Sequence, residues 1–275
     1  MSNMDATEGT GPRGESPPLH GVGVVVTRPA GQEEALSAML TGAGASVIHF
    51  PVLEILEPAD LASLTHAIDQ LEQYDLAVFI SPNAVQRAMN RILARRPELP
   101  PRLQLATVGR ASAKALAGFG CPPHIVPKGR ANSEALLAEP ALAEVSGKRV
   151  VIFRGDGGRE LLGDTLSARG AHVEYAEAYR RGRPEANTSR LMTRWSRGEV
   201  HVFVVTSSEG LRNLFEMVGK LGQQWLKRTP LVVLSERTAE LAEGLGCRLR
   251  PWVADDASDA GIVAALLRWH DHHQR

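Results

Sequence analysis

Six short stretches combine hydroxyls, glycines and the start of a helical pattern: "TRPAG" at 27–31, "SPNA" at 81–84, "GRASA" at 109–113, "FRGDGG" at 153–158, "TSSEG" at 206–210 and "SERTA" at 235–239. Ser, Thr and Asn at such places accept from the free amides of a helix start, and the same amides with the helix dipole attract anions. Any one of these turns by itself reads as a helix cap. Six of them point to an anion-binding surface. "RGDGGRE" has the glycines of a phosphate loop but neither the Walker lysine context nor the full G-x-G-x-x-G spacing, so a tight strand-to-helix turn accounts for it. The C-terminal "WHDHHQR" is a histidine cluster at a chain end with no second ligand cluster, and no metal is expected there. Cys121 and Cys247 each follow a glycine and have neither a nearby His nor a CxxC partner, which argues against nucleophilic or redox chemistry.

Each turn follows an apolar run: Val22 to Val26, Leu76 to Ile80, Leu105 to Val108, Val150 to Phe153, Val202 to Val205 and Leu231 to Leu234. After each turn comes a pattern of period near 3.6, such as Leu161, Leu162 and Leu166, and the helices after the first and fourth runs close on Gly44 and Gly170. Strands that are apolar throughout and alternate with helices belong to parallel sheets covered on both faces. Ligands of such sheets bind beyond the carboxyl ends of the strands, where these turns lie.

The grammar is written twice. At an offset of 126, Val24, Val25, Arg28, Gly31, Glu34, Leu36, Leu40, Gly44, Ala45 and Val47 are identical to Val150, Val151, Arg154, Gly157, Glu160, Leu162, Leu166, Gly170, Ala171 and Val173. The offset persists: Ser81 meets Ser207, Ala113, Gly120 and Cys121 meet Ala239, Gly246 and Cys247, and "ANSEALL" from Ala131 falls on "ASDAGIV" from Ala257. The chain is an internal duplication.

Composition limits what it does. A chain of 275 residues with 43% apolar content suits two small domains better than one large one. With 31 basic and 31 acidic residues its formal charge is zero, which announces neither nucleic acid nor membrane as a partner, so a polyanion must be met by local groups. Two cysteines fit a reducing cytoplasm, no apolar run approaches the roughly 20 residues of a membrane span, and residues 1–19 are expected to form a disordered N-terminal tail.

In order along residues 21–267, "VVVTRP", "PVLEI", "DLAVFISPNAV", "ATVGRASAKAL", "VVIFRGDGGRELLGDTLSARGAHVEYAEAYR", "VFVVTSSEGL" and "VVLSERTAELAEGLG" resemble the uroporphyrinogen-III synthase family. The resemblance implies two doubly wound, flavodoxin-like parallel-sheet domains joined by a two-stranded linker. It also implies that each copy's opening strand and helix is exchanged into the domain completed by the other copy. "HFPVLEILEP" (49–58) and "YAEAYRRGRP" (175–184) look like the two connectors. Domain 1 would comprise 20–52 and 183–269, and domain 2 would comprise 56–178, with a cleft and hinge motion between them.

The activity implied is cofactor-free closure of the linear tetrapyrrole hydroxymethylbilane to uroporphyrinogen III, with ring D inverted and water lost. Such a lyase would be a cytoplasmic monomer of haem biosynthesis. Carried over by motif, the substrate-binding residues are Arg28, Ser81, Asn83, Ser112, Arg154, Ser207, Ser208 and Thr238, and the proton donor to the leaving hydroxyl is Tyr179. "GRASA" has Ser112 where the family commonly has Thr. A catalytically silent tetrapyrrole- or anion-binding sensor of the same fold, and a hinge-type binding protein for a small anion, stand as alternatives.

Overall fold

The computed structural model describes residues 16–129 and 131–274. Most of the expected tail lies outside these residues. Leu19, assigned to that tail from sequence, is instead fully buried, and its amide donates to the Ala43 carbonyl. An apolar side chain at the start of the first unit anchors the chain there, so the ordered unit begins before residue 20.

The chain divides into two units, residues 1–54 with 183–275 and residues 55–182, and it passes from one to the other twice. In the first unit a five-stranded sheet runs β1 (Gly23–Val26), β2 (Ser46–His49), β8 (Val202–Val205), β9 (Leu231–Val233) and β10 (Trp252–Val253) in the spatial order β2-β1-β8-β9-β10. In the second, β3 (Glu54–Leu56), β4 (Leu76–Phe79), β5 (Gln104–Thr107), β6 (Arg149–Gly155) and β7 (His172–Gly182) lie in the order β3-β7-β6-β4-β5. Counted within its unit the first order is 2-1-3-4-5, the doubly wound order of flavodoxin-like sheets. The second repeats it from β7 to β5, extended by a parallel bridge from Ala106 to Ile125, and adds β3 outside β7.

The exchange between copies is visible strand by strand. β1 from the first copy pairs with β8 from the second, while β6 from the second pairs with β4 from the first. The registers are the same when shifted by 126. Val24 faces Val202 as Val150 faces Leu76, Gly23 faces Ser46 as Arg149 faces His172, and Phe203 faces Leu231 as Ala77 faces Leu105. A one-residue slip would turn every side chain to the opposite face, so the shared apolar pattern holds both sheets in one register.

Alternation along each strand divides the core into two layers per unit. In the first, Val24, Val26, Val202 and Val204 pack under α1 (Glu34–Gly42) and α11 (Asp259–Gln274), while Val25, Phe203 and Val205 face α7 (Ser189–Ser196), α8 (Ser208–Met217), α9 (Gly219–Leu226) and α10 (Glu236–Gly244). In the second, Val78, Val150 and Ile152 meet α5 (Ser133–Leu137) and α6 (Leu161–Ala168), while Phe79, Val151 and Phe153 meet α2 (Ala62–Asp69), α3 (Pro82–Arg95) and α4 (Arg110–Gly118). Phe79 and Phe153 stack at 4.9 Å between centroids. Full burial of side chains of this size contributes about 1.5–3 kcal/mol each. The expected helix ends are also in place: Gly44 and Gly170, at φ +92° and +87°, follow α1 and α6 in the left-handed region that favours glycine.

Candidate functional site

The strand-end turns do what their residue types dictate, and capping comes first. Ser81 Oγ accepts from the Ala84 amide at 3.1 Å, and its equivalent Ser207 Oγ accepts from the Gly210 amide at 3.0 Å. Asn132 accepts from Ala135 at 2.8 Å and Ser258 from Gly261 at 3.0 Å, again one offset of 126 apart. Thr238 is buried, with its hydroxyl 3.0 Å from Ser235 and 3.1 Å from Ser208. Ser112 is buried in the first turn of α4, and Asn83 is half-buried at the start of α3. Ser207, Ser208 and Thr238 thus gather in the first unit, while Ser81, Tyr179 and Arg154 gather in the second.

Arg154 and Tyr179 line a single pocket of about 280 Å³ within the second unit, together with Asn132, Ser133, Tyr175, Arg181 and the 155–159 turn. Its charged side chains are Arg154, Arg159, Arg181 and Asp156. Arg159 pairs with Glu134 at 3.0 Å, and Asp156 Oδ1 accepts from the Arg181 amide at 3.0 Å. Arg154 differs from them. Its side chain is 11% exposed, its guanidinium lies 4.0 Å from the centroid of the Tyr175 ring, and Glu177 Oε1 is 4.0 Å from Nη2, beyond hydrogen-bonding distance. Both Nε and Nη1 are buried and have no hydrogen-bond partner among the described residues. Each orphaned donor of this kind costs about 1–3 kcal/mol.

Tyr179 is not in a connector beyond residue 178 as the sequence suggests. It pairs with Gly155 inside the sheet, at the end of a register in which Arg154 faces Glu177. Between these two pairs β7 has one extra residue, and such a slip changes the face to which the following side chain points. Tyr179 therefore joins Ala176 and Ala178 in the layer of Phe79 and Phe153, whereas Tyr175 packs against the opposite layer. The Tyr179 side chain is 1% exposed and its hydroxyl is 3.1 Å from Ser81 Oγ. Gly155 makes room for it, since a Cβ there would stand 2.7 Å from the Tyr179 Cζ.

Arg28, the first-unit counterpart of Arg154, is ion-paired with Asp259 at 2.6 Å. The sequence reading did not single out Asn132, Ser133, Tyr175 or Asp259. For Asn132, Ser133 and Asp259 the signal was the alignment of "ANSEALL" with "ASDAGIV", in which Ser133 stands where the other copy has Asp259. The cysteines are held as unreactive thiols: burial pushes the Cys247 thiol up to about 11, against a smaller lowering by Lys227, and burial raises Cys121 as well. Among the described residues no group of three His, Cys, Asp or Glu side chains is placed to hold a metal, and no helix is long and apolar enough to cross a membrane.

Fold and site together define a class: a two-unit α/β protein built from one duplicated half, whose strand-end turns gather hydroxyls and a basic pocket. Residues 34–264 match the family model described as uroporphyrinogen-III synthase HemD. The uroporphyrinogen-III synthase of Escherichia coli (strain K12) is 36% identical over 248 residues, covering 88% of this chain and 99% of that protein. That of Synechococcus elongatus is 31% identical over 261 residues, covering 92% and 97%. The chain belongs to the uroporphyrinogen-III synthase family. The solved structure of a mutant uroporphyrinogen III synthase from the extremely thermophilic bacterium Thermus thermophilus shares the fold at a TM-score of 0.60 and 22% identity, covering 92% of this chain and 99% of that one.

Proposed function

We propose that this protein is the lyase that closes hydroxymethylbilane to uroporphyrinogen III in haem biosynthesis, inverting ring D and releasing water. The observation that carries the reading is the family match over residues 34–264, which runs through both units. The chemistry needs few groups. The terminal hydroxyl takes a proton and leaves as water, pushed by the electron-rich pyrrole, and the resulting azafulvenium cation is attacked by the substituted carbon of the last ring. The spiro intermediate reopens and closes at the other carbon, and loss of a ring proton restores the pyrrole and balances the proton first supplied.

The protein's task is orientation, because spontaneous closure gives the uninverted isomer and positioning lowers one closure barrier relative to the other. Carboxylates on every ring give the substrate many handles. The strand-end residues Ser81, Asn83, Ser112, Arg154, Ser207, Ser208 and Thr238 are the proposed binding set, with Arg154 the donor whose hydrogen-bonding capacity is least used; Arg28, the remaining candidate from the sequence, is already held by Asp259. Tyr179 is the proposed proton donor, supported by its place in the same pocket as Arg154 and by the packing that fixes its ring. A cytoplasmic monomer acting without metal or nucleotide completes the proposal.

The test is to give purified protein fresh hydroxymethylbilane with a chelator present, then to resolve the isomers after oxidation. Predominant type III product is expected. A mixture matching spontaneous type I closure, made in the presence of folded protein, would overturn the reading in favour of a binding protein.

A further inference from the structure

The two units carry one arginine each at the same place in the repeat, and only one of them has an acid within hydrogen-bonding distance. In the first unit Arg28 is held by the carboxylate of Asp259, the first residue of α11. The helix start that presents this carboxylate is capped by Ser258. In the second unit the equivalent start is capped in the same pattern by Asn132, and the residue in the place of Asp259 is Ser133. Asn132, Ser133 and Arg154 line one pocket, so the arginine and the helix start are brought together in this unit too. What the second copy lacks is an acid at the first residue of that helix, and Glu177, 4.0 Å from Nη2, does not stand in for it. Its arginine keeps two buried donors, Nε and Nη1, with no acceptor among the described residues.

We propose that the pocket of the second unit is a carboxylate receptor, in which Arg154 takes the acid group of a ligand's acetate or propionate chain in the way that Arg28 takes Asp259. The ligand class rests on the synthase reading, whereas the acid group is argued from Asp259 alone. Nη1, the nitrogen through which Arg28 reaches Asp259 Oδ1, is one of the two buried donors, and a charge-assisted hydrogen bond from it to one carboxylate oxygen repeats that contact. The Tyr175 ring holds the guanidinium plane from one side. Burial weakens competition from water. Glu177, 4.0 Å away, tempers the charge without satisfying the donors. The first unit offers no such receptor at Arg28, because its own chain fills that place. Domain 2 thus holds an acid group of the substrate through a side-chain cation, and domain 1 works through its hydroxyl and amide turns.

The experiment is an NMR titration of the intact protein with succinate, its uncharged diamide and inorganic phosphate, following the arginine Nε–H signals and the backbone amides of residues 155–159, which report binding in variants without Arg154. Succinate is expected to shift the Arg154 signal saturably and to leave Arg28 unmoved, with the diamide inert. Ser133→Asp, which installs the carboxylate of the other copy, is expected to weaken succinate binding at least about tenfold, the worth of a charge-assisted pair. Asp259→Ser is expected to leave the Arg154 response intact. Arg154→Gln, checked for folding by its spectrum, serves as a second variant should the Asp variant fail to fold, and it is expected to lose the saturable response. Equal binding of the diamide, preference for phosphate, or undiminished succinate binding by folded Ser133→Asp or Arg154→Gln would overturn the receptor. Type III product from a protein that fails to bind succinate at Arg154 would sink this inference alone. Arg154-dependent binding in a protein yielding only type I product would sink the synthase reading alone.

Discussion

Domain 1 and domain 2 share their sheet order from the second strand to the fourth and share their registers residue for residue, yet they differ at the ends of the same strands. In domain 1 the arginine is neutralised by Asp259, Pro29 follows it, and Leu53 stands where domain 2 has Tyr179. In domain 2 the arginine keeps free donors, Gly155 follows it, and an extra residue in β7 turns a tyrosine inward above that glycine. The edges differ as well: β2 ends its sheet, while β7 is covered by β3. Duplicated backbones are kept by an apolar pattern spread over many strands, whereas a site changes with a handful of side chains at the strand ends. Domain 1 spends its arginine on stability and domain 2 holds its own in reserve.

The contrast breaks most severely at Gly155. Gly155→Ala puts a methyl group 2.7 Å from a fully buried ring in the layer of Phe79 and Phe153, so ring or strand must move. A loss of about 2–3 kcal/mol is expected in chemical denaturation, at the upper end for an overpacked core. No loss would mean that domain 2 has as much room as domain 1 at this turn.

Removing the phenol that only domain 2 possesses tests chemistry with little cost in packing. Tyr179→Phe keeps the ring and leaves Ser81 with its cap at Ala84. Stability should change by less than about 1 kcal/mol. The rate should fall by about 10²-fold or less, the low end for a positioned acid, because the pyrrole already expels the hydroxyl. Isomer ratio should stay at type III. Unchanged turnover would make Tyr179 a packing residue.

Asp259→Ser turns the first unit's helix start into that of the second. Arg28 is largely buried, so its unpaired guanidinium should cost about 1–2 kcal/mol, below the value for a fully buried pair because Asp259 is 26% exposed. Thermal unfolding checks it, and a neutral result would mean that Arg28 turns out to water.

The smallest effect lies at the opposite end of the second sheet. Tyr74 donates to Glu174 at 2.6 Å and Arg149 pairs with the same carboxylate at 2.9 Å. The Tyr74 hydrogen bond, opposed by burial and aided by Arg149, holds Glu174 below the usual carboxylate range, while burial and Glu174 keep the phenol neutral well into alkali. A depressed acid contributes stability above its unfolded value and loses it as pH falls through the folded one. Tyr74→Phe should therefore cost about 1 kcal/mol or less at pH 7, and the difference from wild type should shrink in acid-unfolding curves as the pH falls from the usual carboxylate range through the depressed folded value and this partly exposed carboxylate takes its proton. A difference that persists in acid would place the effect in packing.

Reading the chain alone went far where the signal was local or repeated. Runs such as Val202 to Val205 became strands because four consecutive apolar residues must be covered on both faces, and the offset of 126 that linked Arg28 to Arg154 also fixed the equivalence of the two sheets. Ser81 and Ser207 were legible as caps, because a cap is decided within three residues. Family resemblance supplied the exchange of opening strands, and the pairing of β1 with β8 and of β6 with β4 displays it. Two features were decided only by tertiary structure. The inward turn of Tyr179 depends on one extra residue against a neighbouring strand, and nothing in "YAEAYRRGRP" says which residue goes unpaired. The satisfaction of Arg28 depends on Asp259, at the far end of the chain, while Ser133 lies near Arg154 in sequence and offers no charge. Sequence determined the elements and their repetition, since these follow from short-range patterns of burial. Whether a buried charge found its partner was settled by which helix start the fold delivers to each strand end.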